Sequence, residues 1–150
     1  WKESHKLLIK TWVLEEFTPE RTGIHFTGFE DCAYLPNADL IIFHNKSGAL
    51  RQQFFGGGLG SAPLGANPGS VKGYPVASGF VSISSNGVEK AVVIHEFGHS
   101  AGLAHEHLHP RAIENEKGCY AVPEESKKLN YYTYREYDRE SVMNYCRLVE

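Results

Sequence analysis

Long hydrophobic runs and an excess of positive charge are both missing from this 150-residue chain. No apolar stretch approaches the ~20 residues that a helix needs to cross a bilayer, so we expect no membrane partner. The formal net charge is −3, which gives no basic surface for nucleic acid. Aspartate occurs only at positions 31, 39 and 138, and this scarcity disfavours a calcium loop built from several aspartates. With 41% hydrophobic residues, the composition predicts one soluble globular domain over residues 1–150, and we expect a monomer.

The most specific pattern lies at residues 95–105, which read H-E-F-G-H-S-A-G-L-A-H and have the form H-E-x-x-H-x-x-G-x-x-H. In an α-helix, residues four apart lie on one face, so His95 and His99 can present two imidazoles to one ion. Glu96 follows the first ligand and can reach the remaining coordination position, where a water would sit. Gly102 can adopt a left-handed turn that ends the helix and lets His105 return to the metal. Three neutral nitrogens with one open position are typical of catalytic zinc, so the motif predicts one catalytic Zn²⁺ ion; the alternative is a set of histidines on the solvent side of a helix.

A second landmark lies downstream, at Ser141-Val142-Met143-Asn144-Tyr145, which contains the only methionine of the chain. Together with the histidine motif it resembles the metzincin clan of zinc endopeptidases, and most closely the astacin family, whose Met-turn reads Ser-x-Met-His-Tyr. Glu106, directly after the third histidine, also matches astacins. The chain departs from the astacin pattern at Asn144, His107 and His109, where that family carries histidine, glutamine and arginine. A bacterial-type relative between astacins and matrixins would read similarly.

The resemblance implies a secreted endopeptidase that hydrolyses peptide bonds of protein or peptide substrates. In that mechanism zinc lowers the pKa of its bound water to ~7, and Glu96 acts as the general base and passes the proton to the leaving amine. Tyr145 is expected to coordinate zinc at rest and to hydrogen-bond the oxyanion in the transition state, with a packed core tyrosine as the alternative. Met143 is expected to form a hydrophobic floor rather than a ligand, and Glu106 to make a structural hydrogen bond or salt bridge.

Two other functions are alternatives to this one. A zinc-bearing binding module that does not cut is disfavoured by Glu96, because binding alone needs no carboxylate beside the open position. A thermolysin-type enzyme with glutamate as third ligand is superfluous once His105 stands at the metzincin spacing. His107 and His109 are expected to be loop histidines exposed to water rather than ligands of a second, inhibitory metal.

Apolar periodicity predicts the elements that carry this site. Lys2–Phe17 has helical spacing and predicts an opening helix that Pro19 ends, although Leu7–Val13 alone could be a strand. Asn86, with Glu89 three residues on, predicts the N-cap of a buried helix from Gly87 to about Ala101. Short alternating or buried apolar segments predict three strands, at Thr22–Phe29, Ala38–Phe43 and Gly79–Ser84.

This order resembles the metzincin, or zincin-like, fold. The expected class is α+β, with a twisted mixed sheet, an opening helix, a buried active-site helix and a small irregular C-terminal subdomain. The upper subdomain would span about 1–102 and the lower about 103–150. The first strand and final helix of that fold have no counterpart, so the chain is either a minimal version or truncated at both ends.

A glycine-rich stretch precedes the third predicted strand, but no Gly-Lys-Ser/Thr follows it, so it is not a phosphate loop. By resemblance to matrixins, Leu59–Leu64 aligns with the edge strand that borders the cleft. Exposed backbone groups there could pair with an extended substrate, at Leu59, Gly60, Ser61 and Ala62. The alternative is a flexible surface loop.

The chain has only three cysteines, and no C-x-x-C spacing that would suggest a structural zinc site. Cys119 and Cys146 flank the segment between the third histidine and the Met-turn, where a disulfide bond would tie the lower subdomain together. Two free buried thiols are the alternative. Cys32 would then be unpaired, or its partner would lie outside this sequence.

Overall fold

The computed structural model describes residues 1–31, 38–45, 59–65, 79–84, 86, 88–115 and 135–144. The chain divides into two compact units, Trp1–Gly102 and Leu103–Glu150. Helices and a small three-stranded mixed sheet make the described part an α+β structure, which confirms the class predicted from the sequence. Within the described residues, no helix is long and apolar enough to span a membrane.

The first unit opens with helix α1, Glu3–Glu16, close to the predicted range. Its apolar residues recur every fourth position, and Ile9, Val13 and Phe17 are all buried as a result. A short second helix, α2, covers Pro19–Thr22 and uses the Thr18 hydroxyl as its N-cap. Pro19 therefore does end α1, and it also occupies the first position of the next helix, where its missing N–H is harmless.

The predicted strand at Thr22–Phe29 is wrong. Thr22 belongs to α2, and residues 24–31 have no regular secondary structure. Phe26 packs edge-on against Phe17 and Phe97, with ring centroids 5.2 and 5.1 Å away. The alternation of apolar residues therefore arises because this segment packs onto the core. Such packing does not require pairing with a neighbouring strand.

The sheet consists of β1 (Leu40–Asn45), β2 (Gly60–Ser61) and β3 (Gly79–Ser84), in the spatial order β1-β3-β2. Strand β1 runs parallel to β3, and β2 runs antiparallel to it. The prediction for β3 is confirmed over its full range, and its alternate residues Val81 and Ile83 are completely buried. Strand β1 begins two residues later than predicted and continues to Asn45.

The helix that carries the histidine pair, α3, spans Lys90–Ser100 and packs against α1, β2 and β3. It starts three residues later than predicted, and Asn86 is not its N-cap. Glu89 takes that position with an extended backbone and no side-chain cap hydrogen bond. Instead, Lys90 in the first turn forms ion pairs with Glu15 and Glu16 of α1, at 3.3 and 2.8 Å.

One apolar core joins α1, β3 and α3 in the first unit. Its buried members are Ile9, Val13, Phe17, Val81, Ile83, Val93 and Phe97. Burial of these side chains supplies the main stabilisation of the unit, at ~1.5–3 kcal/mol for each large apolar side chain before entropy is counted. This packing fixes the orientation of α3 and so decides which of its side chains point away from the core.

The described part of the second unit contains short helices and turns. A 3-10 helix covers Glu106–Leu108, and α4 covers Pro110–Asn115 and packs against it. A turn follows at residues 138–144. Among the described residues of the second unit, Ala112 and Met143 are the buried apolar ones.

Candidate metal centre

Two of the three predicted ligands lie on α3. His95 and His99 are four residues apart, and their rings meet edge-on with centroids 4.6 Å apart. Both are buried, with 6% and 9% of their surface exposed. Val93 and Phe97 on the same helix are fully buried in the apolar core. Helical spacing thus places two imidazoles side by side, while the neighbouring positions anchor the helix.

The third ligand follows a sharp end of the helix. Gly102 has a φ of 92°, in the left-handed region that glycine adopts without penalty. Its N–H donates to the carbonyl oxygen of His99 over 2.8 Å, which closes the last turn. After this turn the chain is extended at His105. One ring nitrogen from each of His95, His99 and His105 then lies within 4.8 Å of the others.

This donor set fits a metal ion. Two nitrogens bound to the same tetrahedral zinc at ~2.0–2.1 Å are about 3.4 Å apart, so closure onto an ion needs only a small movement of the rings. Imidazole donors suit zinc and other late transition metals. The three histidines could therefore hold one metal ion, as the sequence predicts.

Glu96 is buried beside this group, with 6% of its surface exposed. Its side chain lies against β2, where it approaches the α-carbon of Gly60 and is hydrogen-bonded by the backbone of Ala62. Burial raises the pKa of the Glu96 carboxyl to about 7, and the Ala62 hydrogen bond opposes part of that rise. A carboxyl that titrates near neutrality is suited to accept and return a proton.

The segment predicted to bind substrate, Leu59–Ala62, contains β2. Strand β2 lies at one edge of the described sheet, with β3 as its neighbour. The carbonyl oxygen of Leu59 accepts from Ser84 N–H at 2.9 Å, and the Leu59 side chain is 43% exposed. The hydrogen bond of the Ala62 backbone to Glu96 engages one of the edge groups that an added strand would use. Substrate binding by this segment stays a prediction.

In the second unit, Glu106 is linked to the turn that contains Met143. The N–H of Glu106 donates to the carbonyl oxygen of Met143 at 2.9 Å, and its carboxylate accepts from the N–H of Asp138 at 2.8 Å. Met143 is 4% exposed. These contacts give Glu106 a structural environment, and the described geometry does not test the role of Met143 as a floor beneath a metal.

Asn144 has a structural role in the same turn that the sequence analysis did not predict. Its amide donates to the hydroxyl of Tyr137 at 2.8 Å and to the carbonyl oxygen of Arg139 at 3.1 Å. Asn144 is 4% exposed. The sequence contained a sign of this role. Asn144 departs from the astacin pattern, and a polar side chain at a buried position needs hydrogen-bond partners.

The prediction that His107 is exposed to water is wrong. Only 8% of its surface is exposed, and burial lowers its pKa. The 3-10 helix turns its ring inward, where it stacks on His105 with centroids 5.0 Å apart. His109 is half-buried, with Nδ1 accepting from Arg111 N–H and Nε2 3.1 Å from the carbonyl oxygen of Arg135.

Five residues named in the sequence analysis lie outside the described part of the structure, namely Cys32, Gly87, Cys119, Tyr145 and Cys146. The role of Tyr145 and the pairing of the cysteines therefore stay predictions.

The chain was compared with family models, curated proteins and solved structures, and none matches it. The class of the protein is accordingly defined by its own fold and site. It is an α+β protein with a three-histidine group that could hold a metal ion.

Proposed function

We propose that the protein is a zinc-dependent endopeptidase of the metzincin clan, most like the astacin family. One observation carries the proposal. Ring nitrogens of His95, His99 and His105 lie within 4.8 Å of one another, and the residue after His95 is a buried glutamate. A binding site alone would not need this carboxyl, since burial of an acid is unfavourable for folding.

The order of the elements supports a metzincin fold for the first unit. An opening helix, a mixed sheet with a short antiparallel edge strand, and a helix bearing two histidines occur in that sequence. Zinc is the proposed ion because three imidazoles with one open position form its common catalytic ligand set.

The proposed mechanism assigns the proton transfers to Glu96. Bound zinc would act as a Lewis acid that acidifies a water molecule and polarises the peptide carbonyl group. Glu96 takes the proton from the attacking water and returns it to the leaving amine. The exposed edge of β2 would hold the substrate as an added strand, and Tyr145 would donate a hydrogen bond to the oxyanion.

The remaining attributes rest on the resemblance, on the composition of the chain and on the positions of its cysteines. We propose that the protein acts as a secreted monomer on protein or peptide substrates, that nucleic acid and membranes are not its partners, and that Cys119 and Cys146 form a disulfide bond. Each of these can be tested separately from catalysis.

The decisive experiment is digestion of casein, an unstructured substrate, by the zinc-loaded chain. We expect cleavage that a zinc chelator abolishes and that added zinc restores. The control is Glu96→Ala, which should bind one zinc ion yet cut at least ~100-fold more slowly. A folded, zinc-bound wild-type chain that leaves casein intact would contradict the proposal and favour a zinc-binding module without catalysis.

A further inference from the structure

Strand β2 and the Glu96 side chain approach each other closely at one glycine. A Cβ built on Gly60 would lie 2.6 Å from Cγ, 2.7 Å from Oε1 and 2.9 Å from Cδ of Glu96. Separations below 3.0 Å are essentially never seen for a real Cβ. A side chain at position 60 would therefore overlap most of the Glu96 side chain, and not merely its flexible end.

The requirement for glycine at this position is one of space and not of backbone conformation. The described glycines with positive φ are Gly23, Gly28, Gly65 and Gly102, and Gly60 is not among them. Alanine could adopt the Gly60 backbone without strain, and it would lower the entropy of the unfolded chain. The neighbouring Glu96 side chain is thus the reason that a larger residue does not fit.

The backbone of β2 is held at both ends, so it cannot easily withdraw from Glu96. Gly60 pairs with Ile83, which is fully buried on β3. Beyond the strand, the N–H of Gly65 donates to the carbonyl oxygen of His99 on α3 over 2.8 Å. An added Cβ would consequently displace the side chain of Glu96 rather than the strand.

Displacement would remove Glu96 from its hydrogen bond with the Ala62 backbone, because Gly60 and Ala62 both contact the same carboxyl group. We infer that Gly60 is a positioning residue for Glu96: the missing side chain at position 60 lets the carboxyl lie against β2 within reach of the Ala62 N–H. The inference rests on the proposed function only in treating Glu96 as the general base. The packing relationship itself stands on the geometry.

The test compares Gly60→Ala with Gly79→Ala, in the zinc-loaded full chain. Both replace a glycine in the same sheet, but a Cβ on Gly79 meets its nearest atom, Leu40 Cδ1, at an ordinary 3.4 Å. We expect Gly60→Ala to keep one zinc per chain and to lower kcat for casein-derived peptides roughly 10- to 100-fold, since a small misplacement of a catalytic group has effects of that size. KM should stay within about twofold, because an added substrate strand would pair with the backbone of position 60, which alanine retains, and does not require the carboxyl. Gly79→Ala should retain kcat within about twofold.

A second measurement tests the contact without using catalysis. In a Glu96→Ala background the atoms that meet the new Cβ are gone, so Gly60→Ala should leave the thermal midpoint unchanged or raise it. In the wild-type background the same substitution should lower the midpoint, and a single variant that fails to fold should be rescued by adding Glu96→Ala. An equal change of the midpoint in both backgrounds would overturn the inference, as would an unchanged kcat in Gly60→Ala. If the wild-type chain does not cut peptides, the proposed function fails, and the comparison of midpoints still decides the inference.

Discussion

The N–H of Gly65 donates a hydrogen bond to the carbonyl oxygen of His99 over 2.8 Å. The same oxygen accepts from the N–H of Gly102, also at 2.8 Å, so one backbone carbonyl of a candidate ligand is shared by two glycines. The first bond ties the segment after β2 to the last turn of α3, and the second closes that turn. The helix that carries the histidine pair and Glu96 is therefore also fixed by the segment that follows β2.

Removal of one ligand should separate metal binding from folding. We expect His105→Ala to keep the fold, because His105 lies outside the helices and the apolar core. The zinc affinity of this variant should fall by more than the ~10–100-fold typical of losing a residue that only hydrogen-bonds to a metal ligand. His109→Ala is the control, since His109 is not in the three-histidine group. Competition with a chromophoric chelator measures both, and an unchanged affinity for His105→Ala would remove it from the ligand set.

Substitution at Gly102 should act through the backbone. A Cβ there meets nothing within 4 Å, but φ is 92°, so Gly102→Ala should destabilise the protein by about 1–2 kcal/mol. It should also weaken zinc binding, because the turn directs the chain to His105. Gly28→Ala is a matched control, with φ of 69° and equally open surroundings. Urea unfolding and zinc titration would show similar losses of stability for both variants and a loss of affinity for Gly102→Ala alone; equal affinities would argue against the turn as a ligand-positioning element.

The buried acid should make the stability of the metal-free chain depend on pH. The pKa of Glu96 rises from an ordinary 4.5 to about 7 on burial, so the folded state binds this proton more tightly than the unfolded state. The stability that Glu96 contributes is complete below pH 4.5 and is lost as pH rises through 7, by roughly 3 kcal/mol at most.

Glu96→Gln should abolish that part of the pH dependence, because glutamine does not ionise. The measurement is the free energy of unfolding of both metal-free proteins from pH 4.5 to 8. Other titrating groups are common to the two proteins, so the difference between the curves reports Glu96 together with its coupling to the neighbouring histidines. Zinc should lower the pKa of Glu96 through its positive charge and shrink the difference. Parallel curves would show that burial of Glu96 is not retained in solution.

Loss of the Glu106 carboxylate should loosen the turn around Met143. Glu106→Ala removes the acceptor for the N–H of Asp138, and we expect a loss of about 1 kcal/mol for this partly exposed bond. Glu136→Ala is the control, because Glu136 forms an exposed ion pair with Arg111 and should change stability by less than ~0.5 kcal/mol. Thermal unfolding compares them, and equal midpoints would assign Glu106 no structural role.

Local sequence patterns were sufficient to predict those helices and strands whose regularly spaced apolar residues face the core. Helix α1 and strand β3 lie where the sequence predicts them, because Ile9, Val13 and Val81 face a core at regular spacing. The extended residues after Gly23 show the limit of such patterns. Phe26 packs against Phe17 and Phe97. The segment around it therefore shows the alternation of apolar residues typical of a strand, although it forms no strand.

The start of α3 shows a second limit. A polar residue with glutamate three positions on predicts an N-cap at Asn86, but the helix begins after Glu89. In the first turn, Lys90 forms ion pairs with Glu15 and Glu16, which come from a distant part of the chain. Such long-range contacts leave no trace in local spacing.

The sequence by itself determined the donor set: helical geometry places His95 beside His99, and Gly102 supplies the turn that leads to His105. Only the tertiary structure decided the environment of that set. It buries Glu96 against β2, which requires a bare α-carbon at Gly60, and it turns His107 inward. The difference has a physical reason. Ligand spacing is a property of one continuous stretch of backbone, whereas burial and its effect on a carboxyl depend on the segments that pack against it, and these are brought together only by folding.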